Sequence, residues 1–311
     1  EISLMIIIKD INNIEKTTSN NCISIGNFDG MHKGHIELVK ETVRIAKENN
    51  LVPTVLTFDQ MPEEYFKANG FFRLMEMSDK YKVFEKLGVE QVLVIPFDKS
   101  FSEIKENIFI KEILIEKLSL KHLIVGKDFK FGYKRMGNIE LLQKYSELGG
   151  YNLLSLDLVK ISSDKISSRD IRILIKNGKI KEANQLLAVP FSLSGKVIHG
   201  EKRGRRLGYP TANIEIYKSY PINGIFLVNI LFEDKKLFGL ASWGNKPTFS
   251  GIDHVLEVNI LDFESDIYGK QLKVIFIDKI RDQIKFDNQD ELIEQMNKDK
   301  KTAEILLKDL Q

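Results

Sequence analysis

Short apolar runs alternate with segments of helical period from the start of the chain to about residue 188. Met5–Ile8, Cys22–Ile25, Thr54–Phe58, Gln91–Ile95, His122–Val125 and Leu153–Leu156 have the length and apolar character of buried strands. Between them, His35–Asn49, Asp79–Leu87, Ile104–Leu118 and Glu140–Leu148 read as helices. In the first of these, Ile36, Val39, Val43 and Ala46 form one stripe, as a helix with a single buried face requires. Strands alternating with helices predict a parallel sheet covered on both faces, and such sheets bind ligands beyond the carboxyl ends of their strands.

After two more helical patterns, Ser168–Asn177 and Ile180–Leu187, the period changes. Leu193–Ile198, Ile225–Phe232, Phe238–Ser242, His254–Leu261 and Leu272–Asp278 are β-type segments, and no helical pattern returns until Asp290–Leu310. The expectation is an α/β domain over 1–188, with a Rossmann-like parallel sheet, followed over 189–311 by an all-β barrel with a terminal helix. Val189-Pro190 marks the seam.

Composition narrows the setting. A chain of 311 residues is long for one core, and 43% hydrophobic with 29% charged residues is ordinary for a globular protein. A net charge of +2 does not call for nucleic acid or an anionic membrane. No run approaches the ~18 apolar residues of a membrane span. Leu4–Ile8 lacks the flanks of a signal peptide, and the residues ahead of Met5 read as an addition before a native start. The single cysteine, Cys22, lies in an apolar strand and reads as a small buried side chain, which fits a reducing, cytoplasmic compartment.

Candidate chemistry begins at Ile25-Gly26-Asn27-Phe28-Asp29-Gly30-Met31-His32-Lys33-Gly34-His35, between the second strand and the first helix. A glycine-bearing turn at a helix N-terminus offers free N–H groups and the positive end of the dipole, a seat for a nucleotide triphosphate. His32 and His35 share a face once the helix starts, and Gly34 lets a phosphate approach the backbone. A zinc site would need a third ligand at suitable spacing, which is missing. The whole string resembles the H-x-G-H nucleotidyltransferase family, more particularly the prokaryotic FAD synthetases with G-x-F-D-G-x-H-x-G-H. Val125-Gly126-Lys127-Asp128-Phe129-Lys130-Phe131-Gly132 is similar to their V-G-x-D-F-x-F-G, and Ile166-Ser167-Ser168-Arg169-Asp170-Ile171-Arg172 to their I-S-S-T-x-I-R.

That resemblance implies in-line attack by the FMN phosphate on the α-phosphorus of ATP, with pyrophosphate leaving. His32 and His35 would donate hydrogen bonds to the transferring group, and Arg172 would hold the pyrophosphate. Gly26, Phe28, Gly34, Asp128, Ser167 and Ser168 would complete the ATP site, although Ser167 and Ser168 taken alone read as helix caps. Two positions depart from the family: Phe58-Asp59-Gln60-Met61-Pro62 stands where F-x-P-H-P is usual, and Arg169 replaces a threonine.

The second string runs from Gly200 through Gly204 and Arg205 to Leu207-Gly208-Tyr209-Pro210-Thr211-Ala212-Asn213. Its L-G-Y-P-T-A-N part has neither strand nor helix periodicity, and it resembles the G-R-x-L-G-[FY]-P-T-A-N signature of riboflavin kinase. Gly195–Gly200, Lys246-Pro247-Thr248-Phe249, Leu256-Glu257-Val258-Asn259 and Asp266-Ile267-Tyr268-Gly269-Lys270 extend the likeness; Phe226 and Ser242-Trp243 depart from it. The riboflavin hydroxyl needs a general base, and the resemblance assigns Glu257, on the strand face opposite Leu256, Val258 and Ile260. Thr211 and Asn213 would hold Mg²⁺ on the ATP phosphates, with Gly200, Gly204, Arg205 and Pro210 lining the nucleotide. Trp243 reads as barrel packing.

The leading expectation is a bifunctional enzyme that turns riboflavin and ATP into FMN, then FMN and ATP into FAD. A second, motivated by Met61 and Arg169, keeps only the kinase and leaves the first half for flavin binding or assembly. A third makes Lys202, Arg203, Arg205 and Arg206 a nucleic-acid patch, against which the near-neutral charge and the lack of interleaved aromatics weigh.

Overall fold

The computed structural model describes residues 5–9, 20–66, 71–157, 167–200, 208–233, 235–244 and 255–308. The chain folds as two compact units, Glu1–Ser168 and Arg169–Gln311. The helix Ile180–Leu186, upstream of Val189-Pro190, therefore belongs with the barrel unit. Asn184 supplies the reason: its Nδ2 donates to the Phe276 carbonyl at 2.8 Å and its Oδ1 accepts the Phe191 amide at 2.8 Å.

The first unit is the expected α/β domain. β1 (Ile6–Lys9), β2 (Asn21–Ile25), β3 (Val52–Phe58), β4 (Gln91–Ile95), β5 (Leu120–Gly126) and β6 (Asn152–Leu156) form one sheet in the order β1-β4-β3-β2-β5-β6. Every pairing is parallel. β2 and β4 are buried along their whole length, which explains their continuous apolar or small-polar sequences. Helix α1 (Lys33–Glu48) covers the sheet with Leu38, Val39, Val43, Ile45 and Ala46 buried. The chain runs outward from β2 through β3 to β4, then crosses back to start β5 on the other side of β2. The strand order thus reverses between β2 and β5, and sheets of this kind bind ligands beyond the carboxyl ends of the strands at such a point.

One predicted helix takes another form. Ile104–Leu118 resolves into a short turn of helix at Glu106–Ile108 and a π-helical stretch at Phe109–Lys117. The Leu118 amide reaches back five residues to the Ile113 carbonyl at 2.9 Å. The wider spiral buries Phe109, Ile110, Leu114 and Leu118 on one side.

The second unit is a closed antiparallel barrel of β7 (Ser192–Ile198), β8 (Ala212–Glu215), β9 (Gly224–Phe232), β10 (Lys235–Trp243), β11 (Val255–Ile260) and β12 (Gln271–Arg281). Its order is β10-β11-β8-β7-β12-β9. β8 is a strand that periodicity missed, because it starts inside the unpatterned P-T-A-N run; Ile214 is its buried position, and Ile216, just past its end, is buried too. Phe226, Val228, Leu256, Val258, Val274 and Phe276 fill the interior. The terminal helix Gln289–Lys308 is tied to β12 by Arg281, which grips Asp299 through Nε and Nη2 at 2.7–3.0 Å. Among the described residues, no helix is long and apolar enough to cross a membrane.

Candidate active sites

The chain leaves β2 through a turn that ordinary backbone avoids. Phe28, Gly30 and Met31 all have positive φ, at 49°, 76° and 45°. Gly30 adopts this freely; Phe28 and Met31 do so at a cost of order 1 kcal/mol each, and such strain persists only where packing fixes it. Both side chains are fully buried. The Phe28 ring meets His35 edge-on at 5.4 Å and Phe84 at 5.4 Å. Phe28 is thus a wedge beneath the turn. The Gly26 N–H is already spent on the Leu56 carbonyl at 3.1 Å.

The turn delivers His32 as the N-cap of α1, with no side-chain capping bond and no acidic residue in the first turn. The end of α1 beside Gly34 therefore keeps its unfilled donors and positive potential. His32 and His35 stack with ring centroids 3.7 Å apart. Burial pushes His32 down to about 4, and burial, reinforced by the charges of His32 and Lys80, holds His35 well below 6.5. Both are neutral imidazoles at pH 7. His35 Nδ1 is sealed without a hydrogen-bond partner among the described residues. A bare acceptor is cheaper to bury than an unpaired N–H, so the proton belongs on Nε2, where it remains a donor.

Asp29, inside the motif but absent from the sequence-derived site, braces the turn. Its buried carboxylate accepts the Leu74 amide at 3.0 and 3.2 Å, and its carbonyl accepts the Ser168 hydroxyl at 2.9 Å. Ser168, the last residue of the first unit and the first of the helix Ser168–Lys176, is held to the turn by this bond; Ser167, just before it, is exposed. Arg169 is exposed, and Arg172 is half-buried one turn into the same helix. Asp128 is exposed in the turn that follows β5, beside the switch point. Met61 is buried at 3% exposure, and its carbonyl accepts the amides that open α2 (Pro62–Phe66). The position where the family carries a histidine is here part of the core.

Two features escaped sequence reasoning. Lys80, on α3 (Met77–Leu87), is 2% exposed and donates to the Asn27 carbonyl at 2.8 Å. A lysine at helical spacing reads as a solvated cation, and no sequence signal marked it. Beyond the carboxyl ends of β3 and β4, Phe97 gathers Phe58, Tyr65 and Phe66 at centroid distances of 5.6, 5.7 and 6.0 Å. Phe66 is 67% exposed.

In the barrel, Glu257 on β11 lies directly across from Asn213 on β8 and from Ser242 on β10. The three share the face opposite buried Leu256, Val258 and Ala241, and cross-strand neighbours hold their Cβ atoms about 5 Å apart. Gln283 donates to the Ser242 hydroxyl at 3.1 Å. Thr211 is half-buried just before β8, and the exposed Pro210 offers its carbonyl to Asn259 Nδ2 at 2.8 Å. Gly200 abuts the Asn213 side chain so closely that a Cβ there would lie 2.6 Å from Asn213 Cγ. Trp243 is buried and donates to the Tyr220 carbonyl at 3.1 Å, a packing role. Gly204 and Arg205, Lys202, Arg203 and Arg206, and Lys246-Pro247-Thr248-Phe249 lie outside the described residues. Among the described residues, no cluster of three or more His, Cys, Asp or Glu could hold a metal. Cys22 is fully buried and its thiol is pushed up to about 12, chiefly by burial, so it is not a reactive group.

Residues 14–170 match the FAD synthetase family model and residues 187–307 the riboflavin kinase family model. The bifunctional riboflavin kinase/FMN adenylyltransferase of Buchnera aphidicola subsp. Schizaphis graminum is 40% identical over 95% of this chain and 96% of its own length. The protein of the same description from Haemophilus influenzae is 38% identical over 96% and 98%. A crystal structure described as a macrolide-efflux protein from Streptococcus pneumoniae superposes with a TM-score of 0.82, at 32% identity over 97% of this chain and 99% of that one. That description stands apart from the other two, yet its fold is the one seen here.

Proposed function

The chain belongs to the bifunctional riboflavin kinase/FMN adenylyltransferase family, and on that premise we propose how its residues divide the two reactions. It phosphorylates riboflavin to FMN and adenylylates FMN to FAD, using ATP in both steps. We assign adenylyl transfer to the α/β half and phosphorylation to the barrel half; of the expected division into 1–188 and 189–311, the stretch that holds the Ile180–Leu186 helix goes with the barrel.

In the first half, an oxygen of the FMN phosphate forms the new bond to the α-phosphorus of ATP as the bond to pyrophosphate breaks. The nucleophile is already ionised, so no base is needed; alignment and charge stabilisation carry the catalysis. His32 and His35 donate from neutral imidazoles to the transferring phosphoryl oxygens, and the uncapped start of α1 receives phosphate charge. The observation that carries this reading is the stacked His pair on a strained turn at the switch point, with His35 Nδ1 lacking a hydrogen-bond partner among the described residues. Ser167, Ser168 and Arg172 bind the β- and γ-phosphates, and Asp128 contacts the nucleotide. The exposed rings of Tyr65 and Phe66, packed edge-on against the half-buried Phe97, offer a stacking surface for the flavin.

In the second half, Glu257 takes the proton of the riboflavin 5′-hydroxyl as its oxygen attacks the γ-phosphorus and ADP leaves. Gly200, Gly204, Arg205 and Pro210 line the nucleotide. Thr211 and Asn213 supply hard oxygen donors, and the absence of a Cβ at Gly200 leaves room for the Asn213 amide, so the pair fits Mg²⁺. When bound, the ion would neutralise phosphate charge. A cytoplasmic setting agrees with the single buried free thiol, Cys22.

The test uses the full chain. His35→Ala should abolish conversion of FMN to FAD while riboflavin phosphorylation continues, and Glu257→Ala should do the reverse. Equal loss of both activities from either change would refute the division.

A further inference from the structure

Lys80 stands out among the groups that the reaction chemistry does not use. Fully buried lysines are rare, and a buried ammonium is costly unless its charge is answered. Here the answering groups come from several elements. The Asn27 carbonyl at the exit of β2 accepts its proton at 2.8 Å. Asp29 on the turn and Glu64 on α2 supply negative charge, while Arg73 supplies an opposing positive one. His35 on α1 is the neutral group on which the Lys80 charge also acts. Asn27 is held from its other end as well, its Nδ2 donating to Glu63 Oε2 at 3.1 Å. The carbonyl that Lys80 grips belongs to the residue just before Phe28, where the backbone enters its left-handed course.

We propose that Lys80 is a positioning residue for adenylyl transfer, its ammonium fixing the Asn27 carbonyl at the root of the turn and its charge offsetting that of the bound triphosphate. The proposal rests on the reading that FAD forms at the His32–His35 turn. A lysine in this place does two things that an apolar peg would not. It pins one carbonyl of a strained segment, and it places a positive charge inside the low-dielectric wall of an anion site, where charges act strongly. Burial lowers the Lys80 pKa to about 8, against the pull of Asp29 and Glu64 and with the help of Arg73. Lys80 is therefore mostly charged at neutral pH and loses its charge as the pH rises through that value. ATP capture for FAD formation should weaken over the same range, whereas an arginine, which does not titrate there, would keep it.

The experiment measures kcat/KM for ATP in FMN adenylylation by the full-length protein from pH 6.5 to 9.5. Riboflavin phosphorylation by the same preparation serves as the control for folding. Lys80→Met should lower kcat/KM about 30-fold or more at pH 7.5 and leave kcat for riboflavin within about twofold. The wild type should lose activity above pH 8, and Lys80→Arg should retain much of the activity and lose that alkaline limb. A Lys80→Met enzyme within about threefold of wild type overturns the proposal. So does a Lys80→Arg enzyme with the wild-type limb, and that arm decides alone if Lys80→Met fails to fold. His35→Ala separates the two levels of inference. If it still makes FAD, the site assignment fails; if it is inactive while Lys80→Met is active, only the role of Lys80 fails.

Discussion

The imidazoles of His32 and His35 stack at 3.7 Å with their planes 23° apart, an arrangement that two cations could not hold. Burial lowers His32 to about 4; burial first, and then the charges of His32 and Lys80, lower His35 further below its ordinary value. In the unfolded chain both titrate near 6.5. Below that pH the unfolded state binds protons that the folded state refuses. Their contribution to stability is thus complete above about pH 6.5 and is lost as the pH falls toward 4. The His32 ring accounts for about 1–2 kcal/mol of that loss once solvent screening is allowed for, and His35 adds to it in the same direction. Thermal midpoints of wild type and His32→Asn between pH 7 and 4.5 should show a shallower acid decline in the variant. Parallel curves would reject this account.

The Ser168 hydroxyl, bonded to the Asp29 carbonyl at 2.9 Å, anchors the turn that presents the His pair. Ser168→Ala removes one partly buried hydrogen bond, worth about 1 kcal/mol. If that bond holds the turn in its reactive form, kcat/KM for FAD formation drops roughly five- to tenfold. Steady-state rates of both reactions check it; an unchanged FAD rate would assign the hydroxyl to local stability alone.

The parallel sheet and its switch point were legible because buried strands and one-faced helices carry strong periods, as in Cys22–Ile25 and the Val39, Val43, Ala46 stripe. The His pair was legible because it sits in a contiguous string. Lys80 was not: its importance lies in burial against Asn27, residues away in sequence, and no local pattern encodes that. The string also points to Phe28 as a nucleotide contact but not to its second part, a fully buried ring packed edge-on against His35 on a backbone of positive φ. β8 escaped because a short strand that opens on Ala212-Asn213 has too few alternating positions to show a period. The π-helix escaped because its apolar spacing overlaps that of an α-helix over so short a stretch.

Asp299 is 4% exposed and accepts two nitrogens of Arg281, whose side chain is itself only 16% exposed. Replacing it by alanine strands a guanidinium between β12 and the terminal helix, a loss of about 3–5 kcal/mol for a buried pair broken on one side. Urea unfolding of Asp299→Ala should show the barrel transition moving to lower denaturant, and riboflavin phosphorylation should become heat-labile. FMN adenylylation measured at low temperature should stay near wild type. A barrel transition that does not move would mean that water reaches Arg281 and answers its charge.

Gly200 and Asn213 offer a cleaner separation of fold from chemistry. A Cβ at position 200 would meet the Asn213 amide group, which is the end of a side chain that can rotate away without moving the backbone. Gly200→Ala should therefore leave the barrel folded but displace the oxygen donor assigned to Mg²⁺ and open its spacing from Glu257, which faces Asn213 across the β8–β11 ladder. The expected result is a loss of riboflavin kinase kcat/KM for Mg-ATP of about tenfold to a hundredfold, the range of a misplaced metal ligand. The thermal midpoint should change by only a few degrees, and conversion of supplied FMN to FAD should be unaffected. Raising Mg²⁺ should recover part of the kinase rate, because the remaining donor, Thr211, still offers an oxygen. If Gly200→Ala keeps full kinase activity at limiting Mg²⁺, Asn213 is not a ligand, and the P-T-A-N run acts through its backbone instead.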